Sequence, residues 1–600
     1  MSKDLQNIKT MYGNLKTEWR KKQSDWEDVA AYVGISVDMN YFDNKGHTNK
    51  SRDVDEYIDD PTAALSVNQA GDYLMGIMWG NGEDAFKIVP SRYVTDLVDE
   101  AVVSDWYEFA TEQALYHINH PNAGFSTALQ PYVYDQFSFG TSGIGIFKNK
   151  AFENAIEDNA LIFRNYGVDN TMINEGKSGQ PEIVAAVYNW QSNRIVGEFC
   201  KSEGSIDKEK LKKLPKEIQD AWNTKDINKE FQIVNMIFPR EDFDPKLKGK
   251  RGTRYRGVWF MDDNNDAGIF FEEDFLERPI SMARAVKVRG EPYGRASGTM
   301  LISTIKSVNF MVSTAIEVVE KLSRPSLGVL NNAIFGDSVL DTSPDGLTVF
   351  NTNAAGRGEN PTFPIYDVGD PSAILNFLVP YLNEKITTAF KIDALLDFNS
   401  AKDMTATESL QRYAIRGKSL AGFLLQQKNE QLVPNSKRAI SLLLAMGELG
   451  AHPLDAPDLA KKLRENKRNE RIIPEEVIEV IESGRPWYEL RFNNELEKLT
   501  RTQAIESMIQ LINSITGIAA LNPDITEAVN WYKLLKDIND NLDYNSQLLI
   551  SEDEFKEKVA ARAAQAAQMQ QAQMGLAGAG AQKDLAQADK AKSEARNVTG

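Results

Sequence analysis

One cysteine, Cys200, stands in 600 residues, which excludes an internal disulfide framework and fits a reducing compartment. Histidine is nearly as scarce, at four residues: His47, His117, His120 and His452. His117 and His120 stand at an HxxH spacing without a third ligand near them in sequence, so a structural or solvent role is expected and no metal site. No apolar run approaches the roughly 20 residues needed to span a bilayer, and MSKDLQNIK lacks the layout of a signal peptide. A cytosolic chain without membrane contact is the expectation. Cations are outnumbered, 68 Lys and Arg against 86 Asp and Glu, for a formal charge of -18. Such a surface does not grip nucleic acid over its whole extent, because phosphate binding is driven by Lys and Arg releasing counterions. Bulky side chains fail in the last 40 residues, half of which are Ala or Gln. That composition favours helix yet offers little area to bury, so the segment must lean on copies of itself, lie on a partner or fray.

Catalytic chemistry is also wanting. A phosphate-binding loop needs Gly five residues before its Gly-Lys pair, so that bare amides can wrap the phosphates. Thr171 holds that place before Gly176, Lys177 and Ser178, and Arg412 holds it before Gly417, Lys418 and Ser419. The GTSGIG of 140–145 precedes a strand pattern, where dinucleotide glycines must precede a helix, so a tight turn is expected. No acid-plus-metal cluster or nucleophilic triad is legible, and no cofactor is expected.

What is present is an ordered succession. With 42% hydrophobic and 26% charged residues the chain is too long for one core, and several subdomains are expected. Helices are expected over 3–34, 61–79, 100–118 and 125–137, with Pro61 at the start of the second. From 140 to 295 the pattern turns to short strands, IGIFKN, LIFRNYGV, IVAAVYNW, NRIVGEF, FQIVNMIF, RYRGVWFM, AGIFFEE and ISMARAVKV. A charged helical surface segment, 207–230, interrupts them. The fold class is α+β and predominantly helical.

In ASGTMLISTIKSVNFMVSTAIEVVEKLSRP the residues Leu301, Ile305, Val308, Val312, Ala315, Val319 and Leu322 recur at spacings of four and three, the stripe of a helix packed on another. Pro325 stops it. After brief strand signals (PSLGVL, GLTVF), a second rod carries Leu375, Leu378, Leu382, Ile386 and Phe390 on one face. Thr405 and Glu408 form a capping box for a long helix kinked by Pro434. WYELRF reads as a strand. Two amphipathic helices and the Ala- and Gln-rich tail follow.

This order of segments resembles the portal, or head-to-tail connector, proteins of short-tailed bacteriophages over nearly the whole chain. The resemblance rests on YIDDPTAALSVNQAGDYLMGIMW, FSFGTSGIGIF (137–147), IVNMIFPR (233–240) and FLERPISMARAVKVRGEPYGRASG, with Glu291, Tyr293, Gly294 and Arg295 the most specific, and on DMTATE (403–408). NNELEKLTRTQ stands where the family usually has a Ser-Pro-Leu-Ala run. The resemblance implies a ring-forming portal fold of about twelve subunits: a wing over 1–293, stem helices over 294–323 and 371–393, a clip over 324–370 and a channel loop over 394–404. A kinked long helix and wing completion over 405–499, crown helices over 500–550 and a barrel helix and tail over 551–600 would complete it. The stem would pack through Leu301, Ile305, Val308, Val312, Val319, Leu375, Leu378 and Leu382. Asp397, Asn399, Ser400, Lys402 and Asp403 would face DNA in the channel, with Lys402 the one cation among Asp393, Asp397 and Asp403. The implied role is a structural ring at one capsid vertex, in the virion and in the host cytoplasm during assembly. Double-stranded DNA would pass through it, and its partners would be the large terminase subunit, tail adaptor and nozzle proteins, and the major capsid and scaffolding proteins. An internal scaffold or ejection protein is the alternative, and a DNA-packaging ATPase a weaker one for want of a complete phosphate loop.

Overall fold

A computed structural model of the chain describes residues 3–33, 58–330 apart from stretches of one to five residues, 343–350 except 344, 362–364, 372–391 except 373, 420–451 except 421, 471–493, and, after 507, residues 508, 511–512, 534–535, 555, 558, 560–562, 583 and 585–592. The chain divides into two units. The first comprises Met1–Ile88, Glu108–Ile478 and Leu490–Leu496, and the second Val89–Tyr107, Glu479–Glu489 and Glu497–Gly600.

Helix α1 (Lys3–Val33) buries Leu5, Ile8, Tyr12, Leu15, Trp19, Trp26, Val29 and Val33. Steps of three, four and seven residues keep that stripe on one face. Helix α2 (Thr62–Trp79) presents small residues, and a Cβ on Gly71 would stand 2.1 Å from the Tyr134 ring, so this glycine sets how closely α2 approaches the helix carrying Tyr134. The other expected helices are α3 (Glu100–Asn119) and α4 (Phe125–Ser138).

Two antiparallel sheets follow. Strand β1 (Thr141–Lys148) lies between β2 (Leu161–Tyr166) and a later strand, while β3 (Thr171–Glu175) and β4 (Pro181–Gln191) begin a larger sheet. The expected strand NRIVGEF is instead α5 (Ser192–Phe199). Ile195, Val196 and Phe199 are its buried apolar residues, and their spacings of one and three residues suit a helix face, not alternation. The segment after it forms α6 (Lys208–Lys213) and α7 (Lys216–Asn223). Its helical character matches expectation, but it is more than surface: Leu214, Ile218 and Ala221 join Trp190, Phe199, Cys200 and Trp259 in one apolar cluster.

The larger sheet is completed by β5 (Glu230–Pro239), β6 (Tyr255–Met261) and β7 (Phe271–Phe275), in the order β7-β6-β5-β4-β3. Both faces are covered. Trp259 meets Phe199 at 4.9 Å on one side, whereas the next residue, Phe260, meets Tyr12 of α1 edge to face at 5.6 Å on the other. Alternation along β6 thus feeds two cores from one strand. The smaller sheet is closed by β8 (Ile280–Arg284), in the order β8-β1-β2, with α4 packed on β1 and β2.

Helix α8 (Ser297–Ser323) ends two residues before Pro325. By length and composition it could cross a membrane, contrary to the expectation that no segment approaches this. Strands β9 (Leu327–Leu330), β10 (Leu347–Phe350) and β11 (Thr362–Pro364) form a small sheet, β9 pairing parallel to β10 and antiparallel to β11. A π-helical turn, Ile374–Leu378, leads into α9 (Val379–Ala389), and a second, Lys428–Leu432, leads into α10 (Val433–Met446). Both turns end in the same triplet, Leu378-Val379-Pro380 and Leu432-Val433-Pro434. A proline lacks the amide that an α-helix would use and clashes with the turn before it, and the wider turn relieves both. Within the second unit, the Tyr107 hydroxyl donates to the Trp487 carbonyl at 2.6 Å and Ser91 Oγ to the Pro486 carbonyl at 2.6 Å. The expected strand WYELRF is present as Tyr488–Phe492.

Candidate functional site

Helix α8 and the rod formed by the turn Ile374–Leu378 and α9, in the first unit, carry the candidate site. Of the stripe on α8, Ile305 and Val308 are buried, Leu301 and Val312 half-buried, and Val319 half exposed. On the second rod Leu375 and Leu378 are exposed and Leu382 half-buried, while Val379, Ile386 and Phe390 are buried. The expected channel residues Asp397, Asn399, Ser400, Lys402 and Asp403, and the capping pair Thr405 and Glu408, lie outside the described residues.

The start of α8 is fixed by the EPYGRASG segment. Tyr293 is fully buried, its ring 5.0 Å from Trp26 and its hydroxyl accepting from the Ile173 amide at 3.3 Å. Glu291 pairs with Lys22 at 3.0 Å and with Arg295 at 2.7 Å. Gly294 admits no side chain, since a Cβ there would lie 2.3 Å from the Gly140 carbonyl; Gly140 itself has φ of +81° and makes the tight turn expected of GTSGIG. The Thr299 hydroxyl accepts from the Ala296 amide at 2.9 Å and so caps the helix.

A polar clamp then holds both rods to α2. Asn309, 4% exposed in the otherwise apolar face of α8, accepts with its side-chain oxygen from the amides of Asp59 and Asp60, each at 3.0 Å. The Asp60 carboxylate accepts from the Thr62 amide at 2.8 Å, capping α2, and from Asn383 of α9 at 2.8 Å. One carboxylate and two side-chain amides thereby tie three helices, with Asp60 and Asn309 at buried positions where an unmet polar group costs about 1–3 kcal/mol. Lys306 adds a pair with Asp28 of α1 at 2.7 Å.

A second buried network anchors the kinked helix. Arg284 is fully buried at the end of β8, pairing with Glu430 in the π-helical turn and with Glu175 of β3, while its Nη2 donates to the Gly179 carbonyl at 2.8 Å. Burial alone would lower the Arg284 pKa, but the two carboxylates outweigh it and hold it above its ordinary value. Gln427 donates to Gln136 at 3.1 Å and to the Arg284 carbonyl at 3.1 Å. Neither network is legible from local sequence pattern. The available signals are Asn309 among apolar neighbours and the arginine at the end of the apolar strand ISMAR.

Turned outward, the two rods keep large apolar side chains in solvent. Phe310 is 72% exposed, five residues past buried Ile305, and Tyr381 is 55% exposed, five residues before buried Ile386, with Phe377 at 76% beside it. Five residues place a side chain roughly 140° round a helix, away from the buried face. The pair of rods therefore has an apolar flank on each helix.

Comparison with known proteins gives a family match across most of the chain. The family described as bacteriophage head to tail connecting protein matches residues 5–549. Among solved structures, a chain of the virion of a native gene transfer agent particle is similar, at 12% identity, covering 70% of this chain and 94% of that one with a TM-score of 0.23. At that score the likeness supports no structural inference. No curated protein matches.

Proposed function

Since the chain belongs to the family of bacteriophage head-to-tail connecting proteins, we propose that about twelve copies close into a ring at one capsid vertex. The ring conducts double-stranded DNA during packaging and ejection, docks the terminase large subunit, and later takes the tail adaptor and nozzle proteins. Major capsid and scaffolding proteins surround it, in the host cytoplasm during assembly and then in the virion. The role is structural: the chain positions DNA and partners, and performs no bond-making step.

The observation that carries this reading is the outward apolar surface of the stem. A ring built head to tail needs two different patches on each copy, and Phe310 on α8 with Phe377 and Tyr381 on the second rod supply two. Each would be covered by the opposite patch of a neighbour. In copies so arranged the channel segment, with Asp397, Asn399, Ser400, Lys402 and Asp403, faces the axis. There one lysine per copy brushes phosphates without holding them, since each contact adds only one counterion-release step. A thin Ala-rich helix from each chain packs against its neighbours as a barrel stave above the ring.

Counting subunits by native mass spectrometry of the purified full chain, with images of the same sample, tests the proposal. Closed rings of about twelve are expected; a chain that stays monomeric at micromolar concentration overturns it.

A further inference from the structure

Two arginines are buried about the kinked helix, and only one of them is partnered among the described residues. Arg284 pairs with Glu430 and Glu175. Arg438, on α10 and 8% exposed, makes neither a hydrogen bond nor an ion pair with any described residue, and its Nε is enclosed without an acceptor. Its guanidinium rests 5.4 Å from the centre of the Phe275 ring at the end of β7. A cation held in the interior without a hydrogen-bonded counter-charge is costly, because nothing offsets its desolvation. Burial accordingly lowers the Arg438 pKa from its ordinary value, and the charges of Glu277 and then Glu273 oppose that shift without reversing it.

The missing counter-charge lies close by. Glu277 stands in the connection from β7 to β8, two residues after Phe275. Its carboxyl is hydrogen-bonded by Ser441 of α10, three residues after Arg438, while its Oε2 is buried with no partner. The two groups are near enough to bias each other's titration, yet they form no ion pair. The connection itself is held, since Arg278 donates to the Pro181 carbonyl at 2.7 Å and to Gln180 Oε1 at 3.0 Å. Any closing movement therefore falls to the Arg438 side chain and to α10.

We infer that Glu277 and Arg438 are a latch, open in this structure, whose closing as an ion pair pins α10 to the connection between β7 and β8. Its trigger is the Glu277 proton. Burial raises that carboxyl from 4.5 to about 7, against the pull of Arg438, Lys437 and the Ser441 hydrogen bond. Glu273 of β7, also raised by burial, is employed elsewhere: it accepts from Trp259 Nε1 at 3.3 Å and lies among the charges of Lys150, Glu198 and Arg438. While Glu277 is neutral it offers Arg438 no charge. Once ionised in the interior it needs a cation beside it, and the population shifts to the closed arrangement.

Hydrogen exchange of the α10 amides in the full-length protein, read as protection relative to α1, tests the latch. From about pH 6 to about pH 8 that ratio should rise about three- to tenfold, since linkage to one proton allows at most about tenfold per pH unit. Asp135 also releases its proton in this range, but it is common to the wild type and every variant. Glu277→Gln, which keeps an acceptor for Ser441, should leave the ratio flat, as should Arg438→Met, whereas Lys437→Gln should keep the rise. A rise equal to that of the wild type in Glu277→Gln or in Arg438→Met overturns the inference. Loss of the rise in Lys437→Gln also overturns it, because Lys437 would then be the partner, and a flat ratio in the wild type leaves no charge-driven closure at all.

Discussion

The five-stranded sheet and the stem are both built from apolar stripes, yet only the sheet finishes its own burial. Trp259 and Phe260 send adjacent side chains into two cores, each roofed by helices of the same chain. On the stem, Ile305 and Ile386 are covered while Phe310, Phe377 and Tyr381 stand in solvent. Under the proposed ring, the difference separates what folding requires from what assembly requires. Substitutions in the sheet layer should be felt by the isolated chain, and substitutions on the stem flanks only by the assembly.

The hardest test of that contrast is Arg284→Ala. It strands the Glu430 carboxylate in the interior, and removing one partner of a buried pair costs about 3–5 kcal/mol. Urea unfolding followed by tryptophan fluorescence should show the midpoint collapse; a destabilisation below about 1 kcal/mol would mean that water reaches the network and the region is not a closed interior.

A pH series gives the next effect. Burial, and then the charge of Asp169, push the Asp135 carboxyl from its ordinary 3.8 up to about 8. The folded chain therefore keeps a proton that the unfolded chain has released between those values, and stability falls as pH rises from about 4 to about 8. The stabilising contribution is full below the lower value and gone above the higher one. Asp135→Asn retains an acceptor for Ser142, which donates to Asp135 at 2.9 Å. The variant should flatten that part of the pH profile by on the order of a few kcal/mol. Melting temperatures across the window check it, and parallel profiles for the two proteins would refute the assignment.

The smallest effect on stability is expected from Phe310→Asp, within about 0.5 kcal/mol because the side chain is solvated in the single chain. Mass measurement should nonetheless find the rings gone, a buried charge at a subunit contact being expensive. A large fall in monomer stability would show that this flank is covered within its own chain, and the contrast between sheet and stem would break.

How much of this can be read in the sequence depends on the range of the interaction involved. The stripes of α1 and α8 are repeats of three and four, and local spacing suffices to find them. NRIVGEF reads as a strand because a short apolar run satisfies either period loosely, and the helix is settled by the cluster beneath it. Strand β3 escapes such reading since TMINE mixes polar and apolar residues and gains its place only by pairing with β4. The clamp and the arginine network lie beyond local reading for a plainer reason. Asn309 meets Asp60 across 249 positions and Arg284 meets Glu430 across 146, and no spacing rule reaches so far. The tight glycine approaches explain in physical terms why the EPYGRASG segment is so distinctive.

The paired π-helical turns carry a consequence for how the chain tolerates changes of length. Each turn spans one residue more per hydrogen-bonded step than an α-helix needs, so it holds a spare residue beside its proline. Losing one residue from Ile374–Leu378 or from Lys428–Leu432 can be absorbed by tightening the turn, leaving α9 or α10 facing as before. An equal deletion inside α8 has no such slack: every side chain beyond it would swing by about 100°, carrying Asn309 or Phe310 off the face it serves. The two Leu-Val-Pro sites are in this sense the stem's and the kinked helix's points of genetic give.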